Sequence, residues 1–365
     1  MFEVKNIEDV NLAENPVIAQ MGKYNHEQLL FCSDNETGLK AIIAVHNTVL
    51  GPALGGTRMW HYQNETEALN DVLRLSRGMT YKNSISGLNL GGGKAVIIGD
   101  SRSMKSEALF RRFGKFVNSL GGKYITAEDV GISPIDMTWV SMETNHVVGL
   151  PGKSGDPSPV TAHGTYVGMK ACAKEQFGSD SLKGKKVAVQ GVGHVGEYLV
   201  QSLAKEGAEV FISDIHEPTL KRVAQEYGAT VVGLDEIYDV EMDIYAPCAL
   251  GATVNDDTLS RLKCSIIAGA ANNQLQQEDV HGRAVMEKGI IYAPDFALNA
   301  GGVINCYSEV KGLSPDWAMN KAEEIYTTIH NIVKRSNSEN VPTYQIANKM
   351  AEERIVAMGK VKLPL

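Results

Sequence analysis

Short apolar runs alternate with amphipathic stretches along the chain. Residues 39–50 (LKAIIAVHNTVL) and 94–100 (KAVIIGD) are crowded with β-branched side chains, and both read as strands. Between them Ala68, Leu69, Val72, Leu73 and Leu75 recur at helical spacing, which predicts a helix over 65–82 with Lys82 near its C-terminal end. A further strand, 124–130 (YITAEDV), leaves its apolar run through Glu128 and Asp129. Near 150 the texture changes: 149–160 (GLPGKSGDPSPV) is dense in proline and glycine and predicts a linker. A helix at 161–178 follows, then strand, glycine turn, helix and strand over 185–215. Strands at 240–247 (VEMDIYAP), 264–269 (CSIIAG) and 289–295 (GIIYAPD) continue the alternation, which implies a parallel sheet covered by helices on both faces. The helical stretches 318–336 and 346–358 close the chain and return to brace the first domain. The expected division is 1–150 plus 335–365 for one domain and 151–334 for the other.

Composition narrows the class. A chain of 365 residues is long enough for two cores, and 43% apolar with 21% charged residues describes an ordinary soluble protein. The net charge of -8 argues against a nucleic-acid partner. No apolar run approaches a membrane span, and the opening MFEVKNIEDV lacks a signal-peptide core, so no membrane partner and a cytoplasmic location are expected. The cysteines number 5 and form no CxxC pair, as suits reduced thiols. The histidines are scattered without ligand spacing, and no metal is expected.

Gly191, Gly193 and Gly196 form G-x-G-x-x-G directly after the strand Val187–Gln190, and the turn also contains Val192, His194 and Val195. The pattern closes a strand and opens a helix, and Asp214 ends the next strand about 20 residues further on. Such glycines let a pyrophosphate approach backbone N–H groups at a helix N-terminus. Asp214 can accept both ribose hydroxyls of NAD, and its charge would repel a 2′-phosphate. A purely structural βαβ turn would read alike from the glycines alone.

A second stretch, MTYKNSISGLNLGGGKAVIIGD (79–100), puts Lys82 and Lys94 either side of Gly91-Gly92-Gly93. A lysine moved into an apolar pocket loses hydration, and its pKa falls towards the range useful for proton transfer. The triglycine would clear side chains from the path of a small substrate and turn N–H groups inward. One lysine could hold a carboxylate while the other trades a proton, with Glu128-Asp129 supplying an acid. Equally, both lysines could be surface residues and the glycines could mark a bulge.

These stretches, with GPALGGTRMW (51–60), PSPVTAHG (157–164), APCALGA (246–252), AGAANNQL (268–275) and YAPDFALNAGGVIN (292–305), resemble the amino-acid dehydrogenase family. Glutamate, leucine, phenylalanine and valine dehydrogenases belong to it, and the leucine-acting branch gives the nearest pattern. The resemblance covers nearly the whole chain in order. It implies an α/β protein of two domains, an N-terminal α/β substrate domain and a C-terminal Rossmann-type doubly wound parallel sheet, with a cleft between them.

The resemblance also implies roles. Lys82 corresponds to the lysine that holds the substrate α-carboxylate, Lys94 to the low-pKa lysine that activates water, and Asp129 to the aspartate that handles protons at the amino group. Gly55 and Gly56 correspond to the pair lining the carboxylate site. Thr161, the Gly191–Gly196 turn, Asp214, Ala249 and Asn272 correspond to cofactor contacts, and Asn299 to a substrate-side loop. Leu54, Ala127, Val303 and Cys306 fall where the side-chain pocket is lined. In the glutamate enzymes the counterpart of Leu54 is a lysine that pairs the distal carboxylate, so leucine here disfavours an acidic substrate. The implied reaction is NAD-dependent, reversible deamination of a branched-chain L-amino acid to a 2-oxo acid and ammonia by a homo-oligomer, octamer or dimer. The alternatives are an aromatic L-amino acid dehydrogenase and a non-catalytic NAD-sensing module.

Overall fold

The structure is a computed structural model that describes residues 17–153 and 155–361. The opening segment read above for its lack of a signal lies outside the described residues. The chain divides into two units: one runs through Gly155 and resumes at Ala351, and the other spans Asp156–Met350.

The first unit contains α1 (Val17–Tyr24), β1 (Gln28–Asp34), β2 (Leu39–Asn47), β3 (Ala53–Trp60), α2 (Glu65–Ile85), β4 (Gly91–Ile98), α3 (Glu107–Ser119), β5 (Tyr124–Glu128) and α4 (Pro134–Ser141). Among the described residues its sheet has the order β1-β2-β4-β3-β5. β2 pairs antiparallel with β1 and β4, whereas β3 pairs parallel with β4 and β5. α2 starts where the Asn64 side chain accepts the Glu67 N–H, and Glu65 and Glu67 complement the positive end of its dipole. Its apolar stripe, Ala68, Leu69, Val72 and Leu73, packs on Ile42, Ala44 and Val96. The opposite face of the sheet carries Ile43, Val45, Ala95 and Ile97 against Phe110 and Phe113 of α3. Because side chains alternate along a strand, Gly92, Lys94 and Val96 all face α2.

The strand expected from 94 begins at Gly91, so the triglycine lies inside β4, and the strand expected to reach 50 ends at Asn47. β1 and β3 carry no clear strand signal in the sequence and are additions. The linker expected through 160 stops sooner, because Ser158 already opens a helix.

The second unit contains α5 (Ser158–Phe177), β6 (Lys186–Gln190), α6 (His194–Glu206), β7 (Glu209–Ser213), α7 (Glu217–Tyr227), β8 (Thr230–Val231), β9 (Ile244–Pro247), α8 (Asp256–Arg261), β10 (Ile266–Ile267), α9 (Glu278–Glu287), β11 (Ile291–Tyr292), α10 (Asp295–Leu298), α11 (Gly301–Lys311) and α12 (Pro315–Glu339). Every pairing is parallel and the order is β11-β10-β9-β6-β7-β8. This is the doubly wound Rossmann order, with its topological switch between β6 and β9, where such sheets bind ligands. The last helix, α13 (Thr343–Val361), begins in this unit, and its residues from Ala351 belong to the first. There the Arg354 guanidinium donates to the Ser84 and Leu88 carbonyls at 3.3 and 2.8 Å.

Candidate active site

In the first unit the register of the sheet gathers the site. Leu54 pairs with Gly92 and Ile125, and Gly56 pairs with Ala127, so Leu54, Gly56, Ala127 and Lys94 share the α2 face. Asp129 follows β5 in a turn closed by the Ile132 N–H donating to the Asp129 carbonyl at 3.0 Å. Gly131 takes φ +79° within that turn, a conformation glycine adopts freely. The turn carries Asp129 back over the sheet, where its Oδ2 lies 3.0 Å from Lys94 Nζ.

Lys94 is 6% exposed. Burial lowers its pKa from the ordinary lysine value, and the Asp129 charge opposes the shift only in part. Burial alone would raise Asp129, but the Lys94 and Arg58 charges outweigh it and hold the carboxyl below its usual range. Arg58 Nε donates to Asp129 Oδ2 at 3.1 Å, and Nη1 donates to Asp71 Oδ2 at 2.9 Å. Asp71 also accepts from the Tyr62 hydroxyl at 2.7 Å and from Arg74 at 3.1 Å. Lys82 lies half-buried in the last turn of α2.

The triglycine does not open a path for substrate, as its sequence suggested. A Cβ at Gly92 would lie 2.1 Å from the Thr80 backbone nitrogen, one at Gly91 1.9 Å from the Asn47 carbonyl oxygen, and one at Gly93 2.7 Å from the Tyr124 ring. These glycines let α2 and the neighbouring chain close directly on β4. Gly55 and Gly56 are equally hemmed in, the latter with a would-be Cβ 2.9 Å from that of Asp129. The surface-lysine alternative fails for Lys94, although β4 does face a register shift in β2 between Val45 and Asn47.

In the second unit the three fingerprint glycines have separate reasons. Gly191 takes φ +99° and sits against Ala249, while a Cβ at Gly196 would lie 2.0 Å from the Gly191 carbonyl oxygen. A Cβ at Gly193 would meet nothing within 4 Å. Gly193 is also the N-cap of α6 and offers no capping side chain, which leaves the first N–H groups for an anion. That open cradle fits a dinucleotide pyrophosphate. His194 is exposed at the first position of α6, Val192 is buried and Val195 is half-buried. Asp214 Oδ2 accepts the Val192 N–H and Oδ1 the His216 N–H, both at 2.8 Å, so the acid braces the turn while keeping lone pairs for a ribose.

Asn299 is buried, and its Nδ2 donates to Asn272 Oδ1 at 2.8 Å and to the Ala270 carbonyl at 2.9 Å. Its Oδ1 has no partner among the described residues. The Thr161 hydroxyl donates to the Pro157 carbonyl at 2.9 Å. Val303 and Cys306 stand one turn apart on α11, the first buried and the second half-buried.

Sequence reasoning missed Arg58, Asp71 and Tyr62, because β3 lacks the strand signal that would have aligned Arg58 with Gly56. It also missed Ile215 and Leu250, which are 86% and 74% exposed. They follow Asp214 and Ala249 beyond the ends of β7 and β9, the two neighbours of β6, as apolar flanks to the glycine turn. A lone apolar residue just past each strand end was the available signal. Among the described residues no cluster of His, Cys, Asp or Glu could hold a metal ion, and no helix is long and apolar enough to cross a membrane.

Two sequence models match the chain: the Glu/Leu/Phe/Val dehydrogenase dimerisation domain over residues 26–146, and the glutamate/leucine/phenylalanine/valine dehydrogenase model over 152–217 and 212–362. The chain belongs to this dehydrogenase family. It is 56% identical to a leucine dehydrogenase of Thermoactinomyces intermedius over 345 residues, and 55% identical to one of Geobacillus stearothermophilus over 347, with 94% of each chain covered in both cases. The crystal structure of L-tryptophan dehydrogenase from Nostoc punctiforme superposes with a TM-score of 0.85 at 43% identity, covering 94% of this chain and 99% of that one. Like its family, this dehydrogenase is an oxidoreductase that acts on a CH–NH2 group.

Proposed function

We propose that the enzyme catalyses reversible, NAD-dependent oxidative deamination of L-leucine and other branched-chain L-amino acids to the 2-oxo acid and ammonia. The observation that carries this reading is the ion pair between buried Lys94 and half-buried Asp129 on a sheet face lined by Gly56, Leu54 and Ala127. Lys82 binds the substrate α-carboxylate, and Gly55 and Gly56 line its seat. The Gly191–Gly196 turn, Asp214, Thr161, Ala249 and Asn272 are the residues that would hold NAD, which when bound would supply the acceptor for the α-carbon hydride. Asp129 takes a proton from the substrate amino group. Lys94, its pKa lowered by burial, removes a proton from the water that adds to the resulting iminium carbon, and Asp129 returns a proton to the departing ammonia.

Leu54 and Ala127 in the first unit, and Val303 and Cys306 in the second, are each proposed to meet the substrate side chain, with Asn299 on the substrate side. An acidic side chain there would be an unpaired buried charge, whereas apolar side chains differing by a methylene are separated by only about 1–3 kcal/mol. Leucine, isoleucine and valine are therefore all substrates. The enzyme works as a homo-oligomer in the cytoplasm.

The test is NAD reduction by the purified enzyme across L-leucine, valine, isoleucine, phenylalanine and tryptophan at alkaline pH. The highest kcat/KM is expected among the branched chains, and Lys94→Ala should lower kcat by about 100- to 10,000-fold. Preference for an aromatic substrate would shift the reading within the family. Near-normal turnover by Lys94→Ala would overturn the mechanism.

A further inference from the structure

We propose that Arg58 and Asp71 are a positioning pair for this reaction: Asp71 anchors the Arg58 guanidinium, and Arg58 orients the Asp129 carboxylate against Lys94. The inference rests on the deamination reading above and adds two residues to it.

The geometry is directional. Lys94 Nζ and Arg58 Nε both meet Asp129 through Oδ2, at 3.0 and 3.1 Å. Oδ1 receives no hydrogen bond from the described residues, so the two cations turn one oxygen inward and leave the other to meet a substrate amino group. Arg58 can do this because its fork spans two acids at once, Nε to Asp129 and Nη1 to Asp71. A lysine ends in a single ammonium and cannot present the two separately aimed nitrogens of that planar fork. Asp71 is fixed in turn by Tyr62, Arg74 and its place on α2. A carboxylate held from one side alone would swing, and a misplacement of about 1 Å costs on the order of 100-fold in rate.

Arginine keeps its proton throughout, so the chain of contacts carries no proton; it is a fixed charge. That charge has a readable consequence at Lys94. The charged groups that act on Lys94 are Asp129 from the turn after β5, Arg58 from β3 and Asp71 from α2, while β2 places uncharged Ala44 opposite it. Arg58 disfavours the ammonium form of Lys94 and Asp71 favours it. The outer side of the pair opens on a cavity of about 450 Å³ lined by Arg58, Trp60, Tyr62, Asp71, Arg74 and Val130, among others. A free guanidinium ion can therefore enter where the Arg58 side chain is removed.

The experiment compares wild type, Arg58→Ala, Arg58→Lys and Asp71→Asn in kcat and KM for leucine and NAD across pH, with and without guanidinium chloride at low millimolar concentration. Arg58→Ala is expected to lose about 100-fold in kcat with KM for NAD unchanged. The pH midpoint of its kcat/KM for leucine should move upward, and guanidinium should restore part of the rate. Asp71→Asn should move the midpoint downward. Arg58→Lys, which preserves charge but not the bridge, should lose rate with its midpoint near wild type, and it serves as the test should the alanine variant not fold. Unchanged kcat and midpoint in Arg58→Ala or Arg58→Lys, with wild type active and Lys94→Ala dead, overturns the pair alone. A wild-type enzyme inactive on every apolar amino acid overturns the deamination reading itself.

Discussion

Two glycines that look alike in the sequence have opposite physical duties. Gly92 has no room for a side chain, because α2 sits on it at Thr80, and the clash would be with backbone that cannot rotate away. Gly92→Ala should therefore cost about 1–3 kcal/mol of stability, read as a lowered urea midpoint. Gly193 has open space above it, so Gly193→Ala should fold as wild type and instead raise KM for NAD by crowding the cradle. The sequence showed where both glycine clusters lie, and it showed Lys94 and Asp129 beside them. It did not show Arg58, since an arginine next to glycines on an unrecognised strand has no pattern to stand out from.

At the scale of elements, α2 is held to the sheet by more than apolar contact. The His26 Nε2 donates to the Leu73 carbonyl at 3.1 Å, with Ser76 Oγ at 3.0 Å. The His46 Nε2 donates to the Tyr24 carbonyl at 2.8 Å, and its Nδ1 accepts from the Thr80 hydroxyl at 2.7 Å. The rings meet edge-on with centroids 4.7 Å apart. Burial pulls the pKa of His26 down to about 4 and that of His46 to about 3, in the latter case with help from His26. Between those values and about 6.5 the unfolded chain binds the protons that the folded one refuses, so stability falls as pH drops below about 6.5. The slope approaches about 1.4 kcal/mol per pH unit for each histidine. Urea midpoints at several pH values should show this loss, and His46→Gln should flatten it; an unchanged slope would remove the pair from the explanation. The core side of α2 was legible from its 3.6-residue period. β3 was not, because its positions on the α2 face, Leu54, Gly56, Arg58 and Trp60, mix close approach and charge with apolar residues rather than forming an apolar stripe.

At the scale of the molecule, each unit has its own sheet and core, and the helix-strand alternation of the second revealed its winding from sequence alone. β10 and β11 are far shorter than the strands expected at 264–269 and 289–295, since only Ile266–Ile267 and Ile291–Tyr292 pair with a neighbour. The end of α13 from Ala351 belongs to the first unit, whereas the helix at 318–336 stays in the second, and the contacts that fix that end involve the carbonyls of Ser84 in the last turn of α2 and Leu88 after it, which no periodicity marks. Arg354→Ala removes a charged donor from those carbonyls and should destabilise the first unit by about 1.5–3 kcal/mol, visible as a lower thermal midpoint. NAD at 100 times its Kd should in turn stabilise the second unit by about 2.7 kcal/mol.

Lys94 grows from β4, an inner strand with a neighbour on each side, whereas Asp129 sits in a turn. Backbone amides around Lys94 should exchange with deuterium only when the whole unit opens, while those near Asp129 exchange through local fluctuation. Heating should consequently abolish turnover by first loosening the acid, with the base still locked in its ladder.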